Sequence, residues 1–156
     1  MVFPQPDGTS SGSYTHTYSQ GTLNNGIVNR TLIFNGNQNA SPNILANPYP
    51  SAIDATAFLS NLNNNSRVNA LYFWEHLTPL SPSYPGYNAA NFDMGDISVY
   101  SLMGGVAAAN GGQTPTKVIA SGQGFGVKTS SAGDLVFDNT MRVTGPNDTY
   151  RTTLEN

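Results

Sequence analysis

The chain has 156 residues, a length that fits one domain with a sizeable core. Only 10% of its residues are charged and 10% are aromatic, which excludes a charge-rich disordered chain and favours a folded one. The net charge is −3 and the six Lys and Arg residues are scattered, so the sequence excludes the basic surface of a nucleic-acid-binding domain. No apolar run approaches the roughly 18 residues of a membrane span. Cysteine is absent, which excludes disulfides, thiolate catalysis and Cys-ligated zinc.

The beginning of the chain predicts strands joined by tight turns. Residues 1–12 are rich in Pro, Gly, Ser and Thr and are expected to form a leader or linker. Aromatic and polar residues alternate over 13–19, which is the period of a strand. Asn-Gly pairs at 25–26 and 35–36 favour type I′ turns on either side of the β-prone segment 27–34. This arrangement predicts that 27–34 is the middle strand of a meander.

A single helix is predicted from Ala52 to about Leu62. Ser51 stands at the N-cap position, and Asp54 follows at capping-box spacing, where its charge also favours the first turn. The Asn-rich run 61–65 prefers turns and is expected to end the helix.

The segment 70–76 predicts the strongest strand of the chain. It is apolar on both faces until Glu75, which is typical of a central strand with both faces covered. We therefore expect Trp74 to lie in the core rather than at the surface.

The remaining elements predict an all-β fold. Later strands are expected at 97–102, 118–120, 124–129 and 135–137, with 130–134 as a hairpin connection. Many short strands with frequent turns favour antiparallel sheets in a β-sandwich or jelly-roll-like arrangement, with one short helix near residues 52–62. Residues 13–156 are expected to form this single domain. Its C-terminal boundary stays open, because residues 153–156 carry no stop signal and a further β segment could follow.

Five short motifs occur in a fixed order: NPYPS at 47–51, LYFW at 71–74, GGVAA at 104–108, SGQGF at 121–125 and NTMR at 139–142. In this order they resemble a β-rich module of large secreted and cell-surface proteins of Bacteroidetes that use the type IX secretion route. The resemblance covers roughly residues 22–145 and implies location and architecture, but no reaction. The chain departs from the pattern at Gly126, where a second aromatic residue is expected after Phe125. Loss of that ring either leaves less to pack on one face of the strand or opens a small hollow.

The best pair for acid–base catalysis is Glu75 with His76. Adjacent strand residues point to opposite faces, so these two side chains cannot easily cooperate. Glu75 with Asp93 or Asp96 has the residue types of a glycosidase, but nothing in the sequence fixes their separation. We therefore expect a non-catalytic module.

Asn91, Asp93 and Asp96 place three oxygen-bearing side chains in one short segment. Hard cations such as calcium take oxygen ligands from tight loops. The spacing of an EF-hand is missing, so a solvated Asx turn is the competing interpretation. Calcium binding by these three residues is a hypothesis that the sequence leaves open.

Exposed aromatic rings would offer a platform for sugars, since each ring combines apolar area with a polar handle. Tyr84 and Tyr87 lie in a Pro- and Gly-rich loop and are the better candidates for contact. Trp74 is a weaker candidate, because its strand is expected to be buried.

The sequence favours a structural or adhesive module of a secreted or cell-surface bacterial protein. The alternative is a carbohydrate-binding module attached to a polysaccharide-degrading enzyme. In either case the expected partner is an extracellular or cell-surface polysaccharide or protein. The many neutral amide and hydroxyl side chains suit such contacts, because they supply uncharged donors and acceptors.

Overall fold

The computed structural model describes residues 21–144, and antiparallel strands dominate this range. The strands are β1 (Val28–Leu32), β2 (Pro42–Ala46), β3 (Ile53–Asp54), β4 (Ala70–Trp74), β5 (Ile97–Ser101), β6 (Gly104–Val106), β7 (Val118–Ile119), β8 (Gly124–Lys128) and β9 (Gly133–Phe137). One α-helix, α1 (Ala55–Ser60), follows β3, and two single 3-10 turns cover Met94–Asp96 and Asn139–Met141. The predicted mainly β class with antiparallel sheets and one short helix is confirmed. No helix within the described range is long and apolar enough to cross a membrane.

The largest sheet has five strands in the order β2-β8-β4-β5-β6. Two smaller sheets pair β1 with β9 and β3 with β7, and all of these pairings are antiparallel. The arrangement is consistent with a sandwich, because side chains from the large sheet, β9 and α1 meet in one core.

The core is built around three phenylalanines from different elements. Phe58 of α1 lies 4.8 Å from Phe137 of β9 and 5.8 Å from Phe125 of β8, measured between ring centroids. All three rings are buried, and Leu71 and Phe73 of β4 join the same cluster. The helix, β9 and the large sheet are thereby held together by one apolar contact region.

Strand β4 is central, as predicted, but the expectation that both its faces are covered is wrong. Leu71 and Phe73 point into the core, whereas Tyr72 is half-buried and Trp74 is 45% exposed on the opposite, outer face. The reason lies in the neighbouring strand, where Gly126 pairs with Tyr72 and offers no side chain to cover it.

The helix begins three residues later than predicted. Ile53 and Asp54 form β3 with β7, so Asp54 rather than Ser51 becomes the N-cap. Its carboxylate accepts hydrogen bonds from the backbone N–H groups of Thr56 and Ala57 and forms an ion pair with Lys117 at 3.2 Å. Strand pairing and capping thus divide a segment that looks uniformly helical in sequence.

Asp54 is expected to give the domain a pH-dependent share of its stability. Burial acts to raise the pKa of Asp54, but the bonds from Lys117, Thr56 and Ala57 together outweigh it and lower this pKa. A lowered folded-state pKa stabilises the fold above the unfolded pKa of about 3.9, and this contribution is lost as the pH falls through the folded pKa. Asp54→Asn keeps a good N-cap but removes the charge. Urea unfolding between pH 7 and pH 2 should therefore show a smaller acid-induced loss in the variant, and equal losses would contradict the prediction.

Two expected connections are wrong. Strand β1 pairs with β9, and within the described range it is not the middle strand of a meander. The segment 130–134 is not a hairpin, because β8 belongs to the large sheet and β9 pairs with β1. Asn43 joins the sheets instead, since its side chain accepts from the N–H of Ile33 and donates to the C=O of the same residue.

The predicted leader at 1–12 and strand at 13–19 lie outside the described residues.

Candidate functional site

The outer face of the five-stranded sheet contains a groove of about 590 Å³. We call it the sheet-face groove; its lining comes from β2, β4, β5, β8 and Met94, and includes Ile44, Tyr72, Trp74, Met94, Gly126 and Lys128. Side chains of a strand alternate between faces, so the outward residues of neighbouring strands meet here opposite the core.

The groove exists because β8 carries glycine at outward positions. Phe125 and Val127 of this strand are buried in the core, while Gly124 and Gly126 face the groove with no side chain. A Cβ added at Gly126 would lie 3.5 Å from the Cβ of Tyr72, which is an ordinary contact. The glycine therefore leaves space that a side chain could occupy, in agreement with the hollow that the departure at this position suggested.

Trp74 is held in place by two neighbouring rings. The ring of His76 stacks on it with centroids 5.5 Å apart, and Phe92 meets it edge-on at 4.7 Å. Phe92 is also half-exposed, so a continuous aromatic surface remains open to a partner. Such contacts fix the orientation of the Trp74 ring, so less side-chain entropy is lost when a ligand binds.

Lys128 supplies the one charged side chain among the residues that line the groove. Its ammonium nitrogen lies 5.3 Å from the centroid of the Tyr72 ring, at cation–π distance. The groove therefore combines an apolar floor with a single positive charge.

The loop tyrosines lie elsewhere. Tyr84 is half-buried and Tyr87 fully exposed, and neither lines the groove. Their loop is closed by Ser81 and Asn91, whose backbone N–H and C=O groups bond to each other in both directions. Of the three predicted contact residues, the structure thus places only Trp74 in the groove. The expectation that Trp74 lies in the core is wrong.

The three residues proposed for calcium use their polar atoms within the fold. Buried Asn91 donates to the C=O groups of Tyr84 and Asn88 and accepts from the N–H of Asn88. Asp93 accepts from the N–H of Gly95 and, through its other oxygen, from the side-chain amide of Asn110. Within residues 21–144 no group of three or more His, Asp or Glu side chains is placed to share a metal ion.

Asp96 is fully buried and strongly hydrogen-bonded. Its Oδ2 accepts from the N–H of Leu77 and from both the N–H and the hydroxyl of Thr78, while Oδ1 accepts from Asn110. Burial acts to raise the pKa of Asp96, but these bonds outweigh it and hold the pKa below its ordinary value. The carboxylate therefore carries its charge at neutral pH and joins the start of the 77–92 segment to β5.

Glu75 faces Asp96 across the extension of the β4–β5 pair. The register pairs Trp74 with Ile97, and the N–H of Glu75 then donates to the C=O of Asp96. Glu75 is buried on the core side while His76 is exposed on the outer side, so the two do not form a pair, as their adjacent positions predicted. Neither Glu75 nor Asp96 lines the sheet-face groove.

Sequence comparison gives a family for the chain but no activity. A family model described as a domain of unknown function (DUF8693) matches residues 3–156. No curated protein and no solved structure matches the chain.

Proposed function

The chain belongs to the DUF8693 family, and from this premise we propose that its domain is a non-catalytic adhesive module of a secreted or cell-surface bacterial protein. It binds its partner in the sheet-face groove. The observation that supports this proposal is the half-exposed Trp74, fixed by His76 and Phe92 on a central strand. A large aromatic ring that is exposed on the outer face of a central strand is unusual. Exposed apolar rings of this kind are typical of a binding surface.

The partner that fits the groove best is a polysaccharide. The rings of Tyr72 and Trp74 offer apolar faces on which the C–H face of a sugar ring can pack, as at other aromatic platforms. Lys128 favours a sugar that carries a carboxylate or sulfate. A basic protein segment is disfavoured, because no carboxylate lines the groove to meet it.

Removing the Trp74 ring is expected to weaken polysaccharide binding by at least about tenfold, the effect of losing a central aromatic anchor. A glycan array would identify ligands for the full chain, and titration calorimetry would compare Trp74→Ala with the unchanged protein. Tyr87→Ala is the matched control, because this exposed ring lies outside the groove. Loss of binding in the Tyr87 variant with unchanged binding in the Trp74 variant would move the site to the loop and overturn the proposal.

Filling the groove provides a complementary variant. The Cβ that Gly126→Val adds meets Tyr72 at ordinary contact distance, and the rest of the side chain points into the groove, so we expect the fold to tolerate it. The added methyl groups take space in the groove, and we expect ligand binding to weaken while circular dichroism and the melting temperature stay close to those of the unchanged protein. Full binding by a folded Gly126→Val protein would show that the ligand does not enter here.

A further inference from the structure

The carboxylate of Glu75 is buried without a partner. The residue is 6% exposed, and neither of its side-chain oxygens has a hydrogen bond. Nearly all buried polar groups in native proteins have a partner, and an ionised carboxylate without one is particularly costly. A buried orphan of this kind therefore points to a bound group that completes it.

The surroundings of Glu75 favour a cation. Asp96 occupies the facing position on the next strand, where opposed side chains lie about 4.5–5.5 Å apart at Cβ. Both side chains are buried, so two carboxyl groups face each other across the strand pair in a site shielded from water. Two like charges at this separation repel each other unless a positive charge lies between or beside them.

The backbone of the loop after β6 passes close to Glu75. Gly112 lies directly over the carboxylate, and a Cβ added there would stand 2.8 Å from Glu75 Oε2. Gly111 and Gly112 both have positive φ, a conformation that favours glycine, and Gly112 brings the backbone close to the carboxylate. Oxygen atoms of carboxylates, backbone and water are the ligands that hard cations prefer.

We propose that Glu75 binds a calcium ion beneath the 111–112 turn, with Asp96 Oδ1 as the second carboxylate oxygen. Asp96 Oδ1 accepts one hydrogen bond, from Asn110, and so keeps acceptor capacity that its Oδ2 has used. Water and backbone oxygens complete the shell. With only two carboxylates, the dissociation constant should be on the order of 10⁻⁴–10⁻³ M, the range of extracellular calcium modules.

This site shares Asp96 with the one that the sequence predicts, but it replaces Asn91 and Asp93 with Glu75. Asn91 forms its hydrogen bonds within its own loop and Asp93 forms its bonds with Gly95 and Asn110, whereas the Glu75 carboxylate has no hydrogen bond. The inference is also independent of the sheet-face groove, because Glu75 lies on the core side of β4.

Calcium titration of the full chain after treatment with a chelator tests the proposal. We expect CaCl₂ at millimolar concentration to raise the melting temperature and calorimetry to detect one site per chain. Glu75→Gln should abolish both effects, since it keeps the shape but removes the charge. Asp134→Asn is the matched control, because it removes an exposed carboxylate outside the site, and it should respond like the unchanged protein.

The stability without calcium gives a second measurement. Glu75→Gln should melt at a higher temperature than the unchanged protein in the presence of the chelator, because it relieves the repulsion with Asp96. Three results would overturn the proposal: no calorimetric signal at 10-fold the expected dissociation constant, a calcium response that survives in Glu75→Gln, or a response that disappears in Asp134→Asn.

Discussion

Asn64→Ala is expected to destabilise the domain by about 3–4 kcal/mol, although it removes only a few atoms. The Asn64 side chain is fully buried, donates to the C=O groups of Phe58 and Val136, and accepts from the N–H of Val136. Removing it takes away the side-chain partner of three backbone groups, and a buried group left unpaired costs about 1–3 kcal/mol before the structure relaxes. Urea unfolding at pH 7, monitored by the fluorescence of Trp74, measures the loss.

The neighbouring Asn63 gives the matched control. It has the same side chain and stands in the same Asn-rich run, but it is exposed. Asn63→Ala should change the free energy of unfolding by no more than about 0.5 kcal/mol, as is usual for surface positions. Asn64→Leu should fail to restore stability, because it fills the space but satisfies none of the three backbone groups. Similar stabilities for Asn63→Ala and Asn64→Ala would show that the buried bonds carry little energy.

Asn64 also illustrates what the sequence could not predict. The run 61–65 predicts a turn, and the chain does turn there, because Asn side chains compete with helical hydrogen bonding. Which asparagine is buried depends on β9, which lies 72 residues further along the chain. Local patterns therefore locate the end of the helix but not the residue that anchors it.

For the strands, too, the positions were predictable from the sequence but the pairing partners were not. The core segments of β4, β5, β8 and β9 were predictable, because branched and aromatic residues between turn signals are a local property. The pairing of β1 with β9 was not predictable, because partner choice is set by contacts distant in sequence. Asn-Gly pairs at 25–26 and 35–36 suggested hairpins, yet positive φ occurs at the glycines alone, so type I′ turns do not form.

The candidate site shows why exposure is the hardest property to predict. The apolar run around β4 correctly indicates a central strand, but the exposure of Trp74 and Tyr72 depends on glycines at 124 and 126. The departure at Gly126 was the one sequence signal for a hollow. Ile44, Met94 and Lys128 carried no such signal, because only the sheet order β2-β8-β4-β5 brings them together with Trp74.

Phe137→Ala is expected to have the other large effect, a loss of about 3–5 kcal/mol in the free energy of unfolding. Its ring is fully buried and lies 4.8 Å from Phe58 and 6.5 Å from Phe125, so it joins β9 to both the helix and the large sheet. Truncation removes apolar contacts from all three elements and leaves a cavity that rigid strands cannot fill. Since whole domains are stable by only about 5–15 kcal/mol, part of the population should unfold at 37 °C. Thermal and urea unfolding measure the effect.

Two further variants separate core packing from general loss of apolar area. Phe137→Leu retains part of the volume and should lose less than Phe137→Ala, because the remaining cavity is smaller. Leu62→Ala removes apolar atoms from a side chain that is 85% exposed and should change stability by less than about 0.5 kcal/mol. If all three variants were equally stable, β9 would not be joined to the core through Phe137. The pairing with β1 alone would then have to hold it, which is improbable for a two-stranded ribbon in water.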